Sequence, residues 1–139
     1  MTRSLVQIQY RPLMKIYVGH SSAIDYKNEI YRPIRESVIN SEHEFILPHE
    51  TSDNPGNTFE QLADCDLMIA DISEKSLGLG IELGWADRAG VPIVCISREG
   101  VKFSPSVETV CDCFYSYRDG ATLVGAIEQA ISENGALSH

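Results

Sequence analysis

The sequence predicts an α/β domain built on a parallel sheet with helices on both faces. Two observations carry that prediction. Short apolar runs alternate with amphipathic stretches from Met14 to the C-terminus, the pattern of repeated strand–helix–strand units. Runs such as Asp66-Leu-Met-Ile-Ala-Asp71 and Val91-Pro-Ile-Val-Cys-Ile96 have no polar alternation, as expected of strands buried on both faces.

Met14-Lys-Ile-Tyr-Val-Gly19 reads as the first strand, ended by glycine. A helix is expected from Asp25 to about Ser41, with Ile30, Ile34, Val38 and Ile39 on one face and Pro33 as a kink or late start. Glu44-Phe-Ile-Leu47 is a second strand, stopped by Pro48. Thr51-Ser-Asp-Asn-Pro-Gly-Asn57 is turn chemistry and is expected to be a mobile loop. A short helix follows over Thr58 to Asp64, then the Asp66–Asp71 strand. Leu79 to Ala89 reads as a helix closed by Gly90, and Val91 to Ile96 as the next strand, with Pro92 tolerable at its start. Cys113 to Tyr117 is a fifth strand, and Ala121 to Ser132 a last helix with Leu123, Ile127 and Ile131 in register. Residues 1–13 precede this pattern as an extension, in which Val6, Ile8 and Tyr10 alternate like an added edge strand. The domain proper is expected over residues 14–139.

Length and charge narrow the possible functions. A chain of 139 residues suits one domain, and it is long enough to bury roughly two-thirds of its unfolded surface. With 43% apolar and 22% charged residues it has the balance of a folded soluble protein. Eleven Lys and Arg against twenty Asp and Glu leave a net charge of −9, which argues against a nucleic-acid polymer or an anionic membrane as partner. A small phosphorylated ligand stays admissible, because backbone amides at a helix start can hold one phosphate. The polar stretch Met1 to Gln9 has no signal-peptide core, and Cys65, Cys95, Cys111 and Cys113 form no zinc-like set. Reduced thiols and a cytoplasmic location are therefore expected, with no metal and no organic cofactor.

Parallel sheets present ligands beyond the carboxyl ends of their strands. That rule selects Gly19-His-Ser-Ser22, Pro48-His-Glu50, Asp71 to Gly80, and Ser97 onward. The informative stretch is Ala70-Asp-Ile-Ser-Glu-Lys-Ser-Leu-Gly-Leu-Gly-Ile-Glu-Leu-Gly-Trp-Ala86. Its glycines fail the dinucleotide fingerprint, which would need glycine at Leu83, and no phosphate-loop motif occurs. What remains is a strand, a loop and a glycine-lined helix start carrying Glu82. The helix dipole favours an ionised carboxylate there, and Gly78 and Gly80 let a ligand approach the backbone. Such a Glu can attack an anomeric carbon, or it can do no more than complement the dipole.

Ser76-Leu-Gly-Leu-Gly-Ile-Glu-Leu-Gly-Trp-Ala86 resembles the nucleoside 2-deoxyribosyltransferase-like superfamily, and most of all its 2′-deoxynucleoside 5′-phosphate N-hydrolase branch. Lys15-Ile-Tyr-Val-Gly19, Leu47-Pro-His-Glu50 and Ala63-Asp-Cys-Asp-Leu-Met-Ile-Ala-Asp71 support the resemblance, in family order. It implies a flavodoxin-like three-layer sandwich with a five-stranded parallel sheet. It also implies an enzyme that cleaves or transfers an N-glycosidic bond, with Glu82 attacking C1′ of the sugar. Ser76 falls where transferases acting on nucleosides carry an acid, so its hydroxyl favours a 5′-phosphate; as a bare residue it reads equally as a helix cap. His49 falls beside sugar and base, and Ser104 matches a serine that reaches the phosphate of a neighbouring subunit, which implies a homodimer or larger homo-oligomer.

Two positions depart from the family pattern. Thr58 stands where an aspartate needed for catalysis is usual, with Asp53, Glu60 and Asp64 as the nearest acids. The loop after the first strand has no arginine, leaving Gly19, Ser21, Ser22 and their amides to meet a phosphate. Asp71 ends the third strand and can orient Glu82, contact the sugar, or cap its own turn. Tyr17 can be core or ligand stack, and Trp85 packing or subunit interface. Besides the enzyme, the residues admit a nucleotide-binding or sensing module with chemistry lost at Thr58, and a protein-interaction domain that keeps only the architecture.

Overall fold

The computed structural model describes residues 13–134. Five strands, β1 (Lys15–Gly19), β2 (Glu44–Ile46), β3 (Leu67–Asp71), β4 (Ile93–Arg98) and β5 (Phe114–Tyr117), form one sheet in the order β2-β1-β3-β4-β5. All four pairings are parallel, with Ile16 opposite Phe45 and Leu67, Met68 opposite Ile93, and Cys95 opposite Phe114. This is the flavodoxin-like order, whose switch point lies between the first and third strands. The expected extra edge strand of residues 1–13 lies, but for Leu13, outside the described residues.

The strand side chains split between two cores. Ile16, Val18, Leu67, Ile69, Val94 and Ile96 face one side of the sheet. There they meet α1 (a π-helical Lys27–Tyr31 running into Arg32–Arg35), α2 (Ile39–Glu42) and α5 (Gly120–Asn134). Tyr17, Met68, Ala70, Ile93 and Cys95 face the other side, against α3 (Phe59–Ala63), α4 (Leu77–Ala89) and a 3-10 turn at Pro105–Thr109. The absence of alternation in the strands is thus explained by burial on both faces. Cys65 and Cys95 are buried as expected, and all four cysteines are free thiols. Among the described residues no helix is long and apolar enough to cross a membrane.

The helix expected from Asp25 to Ser41 is broken. Its first part is widened, with the Arg32 amide bonding the Lys27 carbonyl five residues back. The ring of Pro33 would clash with the carbonyl four residues earlier and has no amide to offer it, so a wider turn ahead of it relieves both faults. Pro33 then packs on the start of α5, where a Cβ on Gly120 would come within 3.0 Å of its Cγ. The chain leaves the helix after Arg35, which turns Val38 out to 61% exposure while Ile30, Ile34 and Ile39 stay buried. Val38 therefore does not belong to the buried face. α4 starts earlier than expected, at Leu77, because Ser76 caps it by accepting from the Leu79 amide at 3.2 Å. Gly90 closes it with φ of 76°.

Asp71, at the carboxyl end of β3, is fully buried. Its carboxylate accepts from the Tyr117 hydroxyl and, at 2.9 Å, from the Ser73 amide. Burial and the neighbouring carboxylate push the Tyr117 phenol up to about 12, so it stays a donor at any physiological pH. Tyr117→Phe leaves one oxygen of a buried carboxylate without a partner, and a loss of about 1–3 kcal/mol in urea denaturation is expected. An unchanged midpoint would show that water replaces the phenol at no cost.

Candidate active site

At the sheet's switch point three oxygens meet. Tyr17, in β1, sends its hydroxyl across the sheet's second face to the Glu82 carboxylate. Thr58, ahead of α3, donates to the same Glu82 oxygen at 3.1 Å and lies 3.0 Å from the Tyr17 hydroxyl. Thr58 occupies the cap position of its helix, yet its side chain makes no capping bond. Asn57 accepts from the Phe59 amide at 2.9 Å instead, which leaves the threonine hydroxyl for Glu82.

Gly19 leaves room for Met68 and Leu79 beside the carboxylate. A Cβ there would lie 2.8 Å from Met68 Cε, 3.0 Å from Leu79 Cδ1 and 3.4 Å from Glu82 Oε1. Glycine at the end of β1 thus serves close approach of a side chain to backbone.

Burial raises the pKa of Glu82 above the ordinary carboxylate range, against the lowering effect of the bonds from Tyr17 and Thr58 and the charge of His49. Tyr17 is pushed far up, chiefly by burial and then by the charge of Glu82. The hydroxyl is locked as a donor, and both hydrogen bonds to the carboxylate come from neutral groups. A carboxylate in that state is poorly solvated and correspondingly nucleophilic.

Beyond the carboxyl ends of β1 and β2 lies a cluster of four rings. His20 stacks on Tyr26 with centroids 4.4 Å apart, and His49 lies 5.3 Å from His20 and 5.4 Å from Tyr26. Tyr31 joins them: its hydroxyl is 2.6 Å from His20 Nε2 and accepts from the His49 amide at 3.1 Å. Burial lowers the pKa of His20, so the ring is neutral, with Nδ1 at 3.0 Å from the Ser21 carbonyl. The loop over Asp53 is anchored here, by Tyr26 at 3.0 Å and Lys27 at 3.3 Å.

Of the residues picked out from sequence, Glu82, Tyr17 and Gly19 come together, with His49 close enough for its charge to act on Glu82. Ser21 is buried and accepts from the Ala23 amide at 3.0 Å, whereas Ser22 is exposed. Asp71 belongs to the other face of the sheet, engaged with Tyr117, and does not orient Glu82. Ser76 and Gly80, with Ser104 opposite, line a cavity of about 550 Å³ that does not include Glu82. On a helix turning 100° per residue, Gly80 and Gly84 face that cavity while Glu82 faces β1 and α3. Gly78 makes no close approach to any group but the Ser76 hydroxyl. Trp85 packs edge-on against Phe59 at 5.6 Å.

Sequence reasoning did not find the bonding role of Thr58 or the Tyr26–Tyr31 part of the ring cluster. The signal for Thr58 is an Asn directly before it, able to cap in its place. The tyrosines, five apart, give no signal, since on an α-helix they diverge. Among the described residues no group of three or more His, Cys, Asp or Glu is placed to hold a metal ion.

No family model matches the chain, and no curated protein matches it either. Solved structures do resemble it. A CMP N-glycosidase of Clostridium botulinum, BcmB, superposes with a TM-score of 0.55 at 20% identity, covering 82% of this chain and 98% of that one. A conserved protein from Enterococcus faecalis gives 0.62 at 15% identity, covering 85% and 99%. A de novo designed Rossmann 2x3 protein gives 0.53 at 14% identity, covering 91% and 96%. What these likenesses show is the fold.

The raised pKa of Glu82 has a consequence for stability. The folded chain holds this proton more tightly than the unfolded chain, so stability falls as pH rises from the unfolded value through the folded one. Glu82→Gln removes that loss. The variant should melt roughly 2–5 °C higher than the parent near pH 7, with the gain fading below about pH 4. Equal melting temperatures at neutral pH would contradict the desolvated state of the carboxylate.

Proposed function

We propose that this protein cleaves the N-glycosidic bond of a nucleoside or nucleoside 5′-monophosphate, with Glu82 as the nucleophile at C1′. The observation that carries the reading is the desolvated Glu82 carboxylate, held by two uncharged donors at the sheet's switch point. The motif around Glu82 and the likeness to a protein described as a CMP N-glycosidase support it.

In this reading the C1′–N bond breaks through an oxocarbenium-like transition state as Glu82 bonds to C1′. Tyr17 and Thr58 hold one carboxylate oxygen, leaving Oε1, beside Gly19, for attack. Water or a second base then releases the sugar with net retention. Ser76 and the amides at the start of α4 are the proposed contacts for a 5′-phosphate, with Ser104 supplied by a neighbouring subunit. Leu77 and Ile81, 84% and 46% exposed on the outer side of α4, support a homodimer. Light scattering should then give twice the 15.4 kDa of one chain; a monomer would remove the role of Ser104.

Thr58 favours one second reading, a module that binds nucleotides without cleaving them, because a hydroxyl cannot exchange a proton as a carboxylic acid does. One experiment separates the two. Purified protein is incubated with ribo- and deoxynucleosides and their 5′-monophosphates, with and without an acceptor base, and bases are followed by chromatography. Cleavage predicts free or exchanged base, and Glu82→Ala should lower the rate by at least ~10³-fold. Ligand-induced stabilisation with no base released would establish the binding module instead.

A further inference from the structure

We propose that His49 is the acid–base residue of the Glu82 site, protonating the departing base and then deprotonating the attacking water. The inference rests on the glycosidase reading above.

The groups around Glu82 leave this task to one side chain. Tyr17 and Thr58 already donate to the carboxylate, and neither is an acid at neutral pH. Both nitrogens of His20 are occupied, by the Ser21 carbonyl and the Tyr31 hydroxyl. Both carboxylate oxygens of Glu50 are bound by Arg35, each at 2.8 Å. Asp53 is exposed and held by Tyr26 and Lys27, and Asp71 lies on the other face of the sheet.

His49 has the opposite arrangement. Its Nδ1 lies 3.0 Å from the Asp53 carbonyl. A carbonyl can only accept, so Nδ1 carries a hydrogen and a neutral ring has its lone pair on Nε2. Among the described residues no hydrogen bond occupies Nε2. The backbone of His49 is pinned to Tyr31, and its ring is bracketed by His20 and Tyr26. This is an imidazole fixed in tautomer and place, half-buried, and placed beyond the carboxyl ends of β1 and β2 with one nitrogen left unbonded.

The steps balance. As Glu82 bonds to C1′, the C1′–N electrons pass to the base, which takes the proton from His49 Nε2. Water then attacks C1′, the C1′–O bond electrons return to Glu82, and the water's proton passes to Nε2. The ring ends protonated as it began. Acid–base groups of this kind contribute about 10²–10⁴-fold.

The test compares His49→Gln with the parent on two substrates in rapid-mix experiments, followed by intact-protein mass spectrometry. One substrate is the best purine nucleotide of the panel. The other is its N7-methylpurine counterpart, whose base leaves without being protonated. On the ordinary nucleotide the variant should lose at least ~100-fold in the burst of base release. On the methylated one the burst should fall by no more than ~5-fold, and sugar should then accumulate on Glu82, because the second step is slowed. Equal losses in both bursts with no adduct would overturn the proposal and make His49 a structural residue. No base from either substrate with the parent protein would overturn the Glu82 reading and this inference with it.

Discussion

The site depends on removing one carboxylate from water while bonding it only to neutral donors. Glu82 shares the space over Gly19 with Met68 and Leu79, and the two groups that donate to it are hydroxyls. A lysine or arginine in their place would hold the ionised form more firmly and lower its pKa. Two neutral donors are a compromise: enough to keep the charge in place, too little to quench it. Each neighbour follows from that requirement. Gly19 leaves space for Met68 and Leu79 to pack beside the carboxylate, Thr58 gives up capping its helix, and Tyr17 reaches through a core otherwise made of apolar groups.

The sheet order makes this meeting possible. β1 lies between β2 and β3, and the helices leave its two sides in opposite directions, so the ends of β1 and β3 open a crevice. α4 divides the ground next to it. One flank sends Glu82 towards β1; the other, with Gly80 and Gly84, lines the 550 Å³ cavity against the Pro105–Thr109 turn. A ligand that used both would lie across the start of α4, where Ser76 and the first free amides are. That geometry makes one short segment, residues 76–82, border both the cavity and the Tyr17–Thr58–Glu82 cluster.

Most of the architecture was legible in the chain. The unalternating strands at 67–71 and 93–96 announced a sheet buried on both faces, and Gly90 marked a helix end that the structure keeps. The place of Glu82 in the first turns of a glycine-lined helix was legible too, though its two hydroxyl donors were not. What the sequence hid depended on side-chain direction rather than on element type. Asp71 looked like a cleft acid because it ends a strand, but strand parity sends it to the face where Tyr117 waits. Ser76 and Glu82 looked like neighbours in one motif, and helix rotation sends them to different flanks. The Thr58 departure read as a loss from the sequence; in the structure its hydroxyl is the second donor to Glu82.

The widened turn at Lys27–Tyr31 sets the relation between core and crevice in α1. Beyond it, Pro33 and Ile34 are committed to packing against α5 and the sheet; at and before it, Tyr26 and Tyr31 bring their rings to 5.1 Å. An ordinary α-helix would set those two side chains about 140° apart. The turn therefore works as a one-residue phase correction, letting a helix whose far end is fixed by the core present two aromatic rings on the same side at its near end. With one residue fewer between Tyr26 and Tyr31, an ordinary α-helix would set the two rings about 40° apart, so the widened turn is what lets the chain carry a fifth residue there and still keep the ring contact.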